Sequence, residues 1–263
     1  MELSIVIVNH NTQGLTLRCI ESVKRFKPST SHEIIVIDNG SDSPFPSSQD
    51  YTLIENKENL GFAKANNQGI KIAKGKSVLL LNSDAEVKKD SIDKLLEFAK
   101  ANPDAGAVGP KLLNKDGSPQ SSVYHFPTIA GAIKEYWFGK KGAYQKYIPE
   151  GNAPIGVDAL VMAAFLITPV CLKKAGLLSE KYFMYFEDLD YCRKIKEAGL
   201  KIYYLPSSEV IHHHGASGQS KADDANQWRR LIPGSLIYHG FVRHYILFFV
   251  LWLGQKWQKL FSR

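Results

Sequence analysis

One stretch in the first third of the chain, Lys76 to Glu86 (KSVLLLNSDAE), narrows the possible folds more than any other. Its apolar run, Val78 to Leu81, is too short for a helix and is bounded by Gly75 and Asn82. That pattern predicts a buried central strand ending abruptly in a polar turn. Asn82, Ser83 and Asp84 then stand at the strand's carboxyl end, the edge where open α/β sheets bind ligands. A carboxylate in that place suits a divalent metal. It would equally cap the turn or a helix beginning near Asp90.

The same unit recurs on either side. Leu3 to Val8 (LSIVIV) is a continuous β-branched run of the kind covered on both faces of a parallel sheet, and Asn9, His10, Asn11 and Thr12 follow at its tip. Leu15, Cys19, Ile20 and Val23 recur at helical spacing, with Asn11 or Thr12 as the N-cap. A second strand, Glu33 to Ile37, ends in Asp38-Asn39-Gly40-Ser41, where Asp38 would accept bonds from a ribose or base edge, or would close an Asx-turn. A helix opening at Asn59-Leu60-Gly61-Phe62 places Asn66 on its apolar side, where a buried amide requires partners. A further helix over Ser91 to Ala101 and a strand over Ala105 to Val108 complete four strand–helix alternations, the signature of a Rossmann-like half over residues 1–110. Neither G-x-G-x-x-G nor G-x-x-x-x-G-K-[ST] occurs, which removes the main support for a dehydrogenase or a P-loop enzyme.

Residues 111–156 are rich in aromatics and punctuated by Gly and Pro, with a turn at Asn114-Lys115-Asp116-Gly117. Ala159 to Ile167 reads as a strand returning to the sheet. The second chemical stretch is Tyr182 to Gly199 (YFMYFEDLDYCRKIKEAG), in which Glu187, Asp188 and Asp190 arrive together at a helix start. Acids there offset the helix macrodipole, by about 0.3–1 kcal/mol each. A carboxylate beside an aromatic wall is also where desolvation raises basicity, so one of the three would act as a general base. A strand over Leu200 to Leu205 leads to His212-His213-His214, of which one would be a metal ligand. Residues 215–226 have the composition of a mobile lid.

With 263 residues and 44% apolar content, the chain is long enough for one large α/β domain with an appendage. Cys19, Cys171 and Cys192 are odd in number and form no C-x-x-C pair, so neither a zinc ribbon nor a disulfide framework is expected. The strand beginning at Leu3, with no basic leader before it, argues against a cleaved signal peptide and for a cytoplasmic protein. The net charge of +7 does not point to nucleic acid, because six of the basic residues lie beyond Trp228, where there are no acidic ones.

VIVNHNT, IIVIDNGSD, NLGFAKANNQGI, LLLNSDAEV, the YFMYFEDLDYCRKIKEAG stretch and VIHHHGAS occur in one order over residues 3–217, and this series resembles the inverting family 2 glycosyltransferases of GT-A fold, particularly rhamnosyltransferase-like members. The resemblance implies a mixed, Rossmann-like sheet flanked by helices. Over residues 1–227 it implies a nucleotide-binding half (1–110) and an acceptor and catalytic half (111–227). Asn9, Asn11, Asp38 and Asn39 would hold the base and ribose of a dTDP- or UDP-sugar, with Asn66 and Ser83 nearby. Asp84, in the place of the family's D-x-D, would bind Mn2+ or Mg2+, with His212 as the second contact. Asn82 replaces the first Asp of that motif. Asp188 matches the proposed base, with Glu187 and Asp190 beside it. The implied reaction is inverting transfer of a sugar, L-rhamnose among the candidates, to a hydroxyl of a glycan, lipid-linked in bacterial cell-surface polysaccharide synthesis. The rival readings are a sugar-phosphate nucleotidyltransferase, whose glycine-rich basic loop VNHNT lacks, and a non-catalytic nucleotide-binding membrane scaffold.

The tail, residues 228–263, holds one charged residue, Arg243, between Leu231 and Gln255. Placing that arginine at mid-bilayer would cost roughly 2.5–3.5 kcal/mol or more. The expectation is therefore a helical segment lying on the inner face of the cell membrane, with Trp252 and Trp257 at headgroup level and basic residues on anionic lipid. The alternative is a helix that forms a homo-oligomer by covering its Phe-Leu surface with a second subunit.

Overall fold

The structure is a computed structural model that describes residues 1–213 and 227–261. The first elements are β1 (Leu3–Asn9), α1 (Gln13–Arg25), β2 (His32–Asn39), β3 (Thr52–Asn56), α2 (Phe62–Ile72), β4 (Ser77–Asn82), β5 (Ala85–Val87), α3 (Ser91–Ala101) and β6 (Ala105–Leu113). The middle of the chain adds β7 (Val123–Tyr124), α4 (Ile129–Tyr136), β8 (Ile155–Val157), β9 (Ala159–Leu160), β10 (Ala164–Ile167) and α5 (Pro169–Lys174). Then come α6 (Glu187–Glu197), β11 (Lys201–His212), α7 (Gln227–His239) and α8 (Phe241–Phe261).

The main sheet runs β3-β2-β1-β4-β10-β6-β11-β5, with β8 also on β11, while β7 and β9 pair apart from it. β1 lies parallel to β2 and to β4, in a register that sets Asn9 opposite Asp38 and Val8 opposite Asn82. Pleating divides each apolar run between two cores. Ile5, Ile7, Val36, Leu79 and Leu81 pack with Cys19 and Ile20 of α1 and Ile92 and Leu95 of α3. Val6, Ile35, Ile37 and Leu80 face the other way, onto Ala63 and Ile70 of α2 and Tyr191 and Ile195 of α6. Burying each of these large side chains contributes about 1.5–3 kcal/mol. Truncating one such as Leu80, which is fully buried, would cost about 2–5 kcal/mol.

The mixed sheet flanked by helices is the expected architecture, but several strands depart from the pattern read along the chain. β6 does not neighbour β4: β10 lies between them, antiparallel to both. The run Ala159 to Ile167 is consequently not one strand; β9 pairs with β7, and only β10 enters the main sheet. The strand expected over Leu200 to Leu205 begins at Lys201 and continues to His212 as a single strand, with an irregularity in pairing between Leu205 and Glu209. The three cysteines are free and buried. Gly199, at φ +75°, ends α6 in the left-handed conformation that glycine adopts without penalty.

The tail is helical, as expected, but Gly240 divides it into two helices and both pack on the body. Trp137, which follows α4, stacks on Trp257 at 5.7 Å between ring centroids. The Trp137 Nε1–H donates to the Val250 carbonyl. On α7, Tyr238 receives the Arg193 guanidinium over its ring at 4.6 Å. Among the described residues no helix is long and apolar enough to cross a membrane.

Candidate active site

The carboxyl ends of β1, β2 and β4 adjoin, so their polar tips form one buried network. Asn9 donates from Nδ2 to Asp38 Oδ1 (2.7 Å) and to Ser41 Oγ (3.0 Å). Its Oδ1 accepts from Thr12 and Thr16. Thr12 is the residue before α1, yet its hydroxyl caps nothing; it lies 3.1 Å from Ser83 Oγ, tying β1 to the NSD turn. No hydrogen bond engages Asp38 Oδ2 among the described residues, which leaves that oxygen for a ligand. Asn11 adopts φ 56° and is fixed by Ser41 and Asp42. Asn39 accepts from Asn56 and from the Leu60 N–H and donates to Asn59, so it anchors the loop before α2. Asn66 is buried but bonds to the Phe62 carbonyl of its own helix, which supplies its partner without a ligand.

Asp84 and His212 meet through long-range pairing. β5, directly after NSD, lies antiparallel to the end of β11 with Ala85 opposite His212, and the His213 N–H donates to the Asp84 carbonyl. Asp84 Oδ1 and His212 Nε2 are 3.4 Å apart, and both side chains are buried. Gln120 determines the imidazole's orientation. Its Nε2 donates to Asn114 Oδ1 and to the His212 carbonyl, so its Oε1 must face His212 Nδ1, at 2.7 Å. Nδ1 therefore carries a proton, and Nε2 is the ring nitrogen that faces the carboxylate. A carboxylate oxygen and an imidazole nitrogen are donors of the kind that suit Mn2+ or Mg2+. Among the described residues no group of three or more His, Cys, Asp or Glu able to hold a metal occurs. His213 is held by Glu86 at 2.8 Å. His214 and the lid expected over residues 215–226 lie outside the described residues.

The acidic stretch lies on the same side as the strand tips, because the N-terminal Phe62 N–H of α2 bonds to the Phe183 carbonyl just before α6. Tyr185 and Phe186 both adopt φ 69°, a left-handed conformation that costs a non-glycine residue about 1–3 kcal/mol. Packing from the tail holds it: Phe186 contacts the rings of Tyr238 and His239, and Gly234 of α7 lies directly against Tyr185. Glu187 and Asp188 follow, at the start of α6, and line a cavity of about 920 Å³ shared with α4, α7 and α8. Burial, and then the Asp188 charge, pushes the Glu187 carboxyl up to about 8. Burial pushes Asp188 up to about 6, against the Leu189 N–H and the Lys146 charge, which hold it down. Glu187 Oε2 is buried without a hydrogen-bond partner. At neutral pH the pair thus holds about one proton and one negative charge, a state suited to accepting a proton. Asp190 takes a different place: it is salt-bridged to Arg193 at 2.8 Å, accepts from Tyr182, and is not among the residues lining the cavity.

Gln120 and the tail's wall of the cavity were not foreseen in the sequence, which placed Thr12 and Ser41 at the strand tips without their bonds to Ser83 and to Asn9 and Asp38. Gln120 follows a turn with no motif around it, and only the register of β11 discloses its partner.

The family model described as glycosyl transferase family 2 matches residues 4–164. The chain is 27% identical to the low-salt glycan biosynthesis hexosyltransferase Agl10 of Haloferax volcanii, over 81% of this chain and 67% of that protein. It is 32% identical to the N-acetylglucosaminyl-diphospho-decaprenol L-rhamnosyltransferase of Mycobacterium tuberculosis, over 53% of this chain and 48% of the relative, about half of its length. Among solved structures it resembles GalNAc-T7 with UDP, GalNAc and Mn2+, at a TM-score of 0.63 and 18% identity, over 81% of this chain and 44% of that one. This last likeness concerns the fold, which is of the GT-A kind. The strand-tip crevice, the mixed sheet and a family match spanning more than half of the residues agree, and the chain belongs to glycosyl transferase family 2.

Proposed function

We propose that the protein transfers a sugar from a dTDP- or UDP-sugar to a hydroxyl of a lipid-linked glycan, with inversion, in the synthesis of a cell-surface polysaccharide. The observation that carries this reading is the Glu187–Asp188 pair, Glu187 buried and Asp188 half-buried, whose raised basicity lies beside a cavity large enough for an acceptor. Asp188 accepts the acceptor hydroxyl's proton as the oxygen attacks the anomeric carbon, and Glu187 keeps its own proton and leaves Asp188 ionised. Asn9, Asn11, Asp38, Asn39 and Ser83 form the polar crevice for the nucleoside. Asp84 and His212 would hold Mn2+ or Mg2+. Such an ion, when bound, stabilises charge on the departing diphosphate. The protein would work at the inner face of the cell membrane, a reading supported by the exposed apolar residues of α8 and the exposed Arg243 and Lys256.

The test is a panel of dTDP- and UDP-sugars, dTDP-L-rhamnose first, screened for thermal stabilisation and for donor turnover, with Mn2+ and with excess chelator. Stabilisation and turnover by one donor, lost with chelator, are expected. Full turnover in chelator would remove the metal from the proposal, and no stabilisation or turnover by any nucleotide-sugar would overturn the reading.

A further inference from the structure

The turn over residues 114–117 carries no site residue, yet an unbroken run of hydrogen bonds joins it to His212. The run starts at Asp116, an exposed carboxylate that accepts from the Ser118 hydroxyl at 2.6 Å and from the Ser118 N–H at 2.9 Å. Those two bonds hold its carboxyl below the usual carboxylate range, so at neutral pH it only accepts. With the Ser118 proton committed there, the hydroxyl oxygen accepts from Asn114 Nδ2 at 2.9 Å. Asn114 therefore turns its Oδ1 to Gln120, whose Nε2 donates to it at 2.9 Å and to the His212 carbonyl at 3.2 Å. Gln120 is left with Oε1 for His212 Nδ1, at 2.7 Å. Each bond in the run has one direction, and the last requires a proton on Nδ1. The backbone holds the run in register: the Asn114 N–H donates to the Ser118 carbonyl, and the Gln120 N–H donates to the Leu112 carbonyl of β6, the strand that pairs with the end of β11.

The other ring nitrogen of His212, Nε2, lies 3.4 Å from Asp84 Oδ1. The imidazole thus stands between an amide oxygen and a carboxylate, and in its neutral form has one proton for the two. A carboxylate is the stronger acceptor. Without Gln120 the proton would pass to Nε2 and be donated to Asp84, and that nitrogen would have no lone pair for a cation. We propose that Gln120 is a positioning residue of the metal site: it holds a proton on His212 Nδ1 and so keeps Nε2 as a ligand, while Asn114 fixes the Gln120 amide in the direction this requires. Naming Mn2+ or Mg2+ as what Nε2 binds rests on the proposed function; the direction of the hydrogen bonds does not.

Two measurements on the full chain test this without any sugar transfer. Heteronuclear spectra of isotopically labelled histidine show which ring nitrogen of His212 carries the proton, its signals being those lost in His212→Gln. Electron paramagnetic resonance of Mn2+, with UDP or dTDP present, gives the affinity. The parent is expected to show the Nδ1–H form and to bind Mn2+. Gln120→Leu, close in volume but without polar side-chain atoms, is expected to move the proton to Nε2 and to weaken Mn2+ by about 10–100-fold, the usual cost of losing such a partner. Gln120→Ala carries the same expectation and replaces it if a thermal melt shows the leucine variant unfolded. Gln120→Glu keeps an acceptor for Nδ1 and is expected to retain both the tautomer and the Mn2+ binding, which a role in packing alone would not predict. Asn114→Leu is expected to weaken Mn2+ less than Gln120→Leu does, because the His212 carbonyl still receives Gln120 Nε2; parent-like affinity there would overturn the part given to Asn114. The Nε2–H form in the parent, or equal Mn2+ affinity in the parent and Gln120→Leu, would overturn the role of Gln120, the latter leaving the metal in place. A parent that binds no Mn2+ with either nucleotide would instead remove the metal from the proposed function, and this role with it.

Discussion

Glu187 and Asp188 have opposite needs although they are neighbours. A base must be ionised, and burial raises both carboxyls, Glu187 further than Asp188 because the Asp188 charge faces it, so Asp188 is the one that gives up its proton first. Transfer is expected to rise with pH through about 6. Asp188→Asn is expected to lower it at least ~100-fold, the low end for a positioned base, while equilibrium binding of the donor stays near normal; near-normal transfer in that variant would shift the base to Glu187. The same burial has a cost in stability. Because the folded pKa of Glu187 lies above its unfolded value, the folded state holds the proton more tightly, and stability falls as pH rises from about 4.5 to about 8. Glu187→Gln removes that ionisation, so its melting temperature is expected to exceed that of the parent at pH 9 and to approach it at pH 5. A parallel pH dependence in both proteins would show that Glu187 does not titrate there.

Helix α7 acts on these residues through one close approach. A Cβ added at Gly234 would lie 2.7 Å from the Tyr185 carbonyl, so a larger residue must push the helix away from the left-handed pair that precedes the carboxyls. Gly234→Val is expected to cost about 1–3 kcal/mol. It should also reduce transfer while donor binding, made at the strand tips, persists; unchanged transfer would mean that α7 does not position α6. Elements of this kind mark the limit of what the sequence discloses. The long apolar runs of β1, β2 and β4, and the polar tips after them, are legible because each is a local pattern whose period and boundary lie within ten residues. β3, β5 and β8 are not: β5 is three residues long and exists as a strand through its pairing with β11, more than a hundred residues later. Asn66 shows the converse failure, since a buried amide signals a need for a partner but not that the partner is its own helix. The pairing of Asp84 with His212 was expected from resemblance alone, and Gln120, which orients the imidazole, belonged to no motif.

At the scale of the molecule, the tail and the body share surfaces. Trp137 on Trp257, Arg193 on Tyr238, and the cavity wall would all be uncovered by ending the chain after residue 226. That truncation is expected to lower the melting temperature and to abolish transfer to a short water-soluble acceptor as well as flotation with anionic liposomes. Full soluble-acceptor transfer by the shortened chain would instead make the tail an anchor only. The antiparallel strand β10 imposes an order in time. β4 pairs with β1 on one side, but its other neighbour comes from residues 164–167, synthesised well after β4 itself. At roughly 5–20 residues per second, a nascent chain spends several seconds with Val78 to Leu81 bonded along one edge only. An apolar strand edge open for that long is a template for another copy of itself. A ribosome stalled between residues 113 and 164 would therefore yield fragments that associate through β4, whereas release after residue 167 closes that edge from within the same chain.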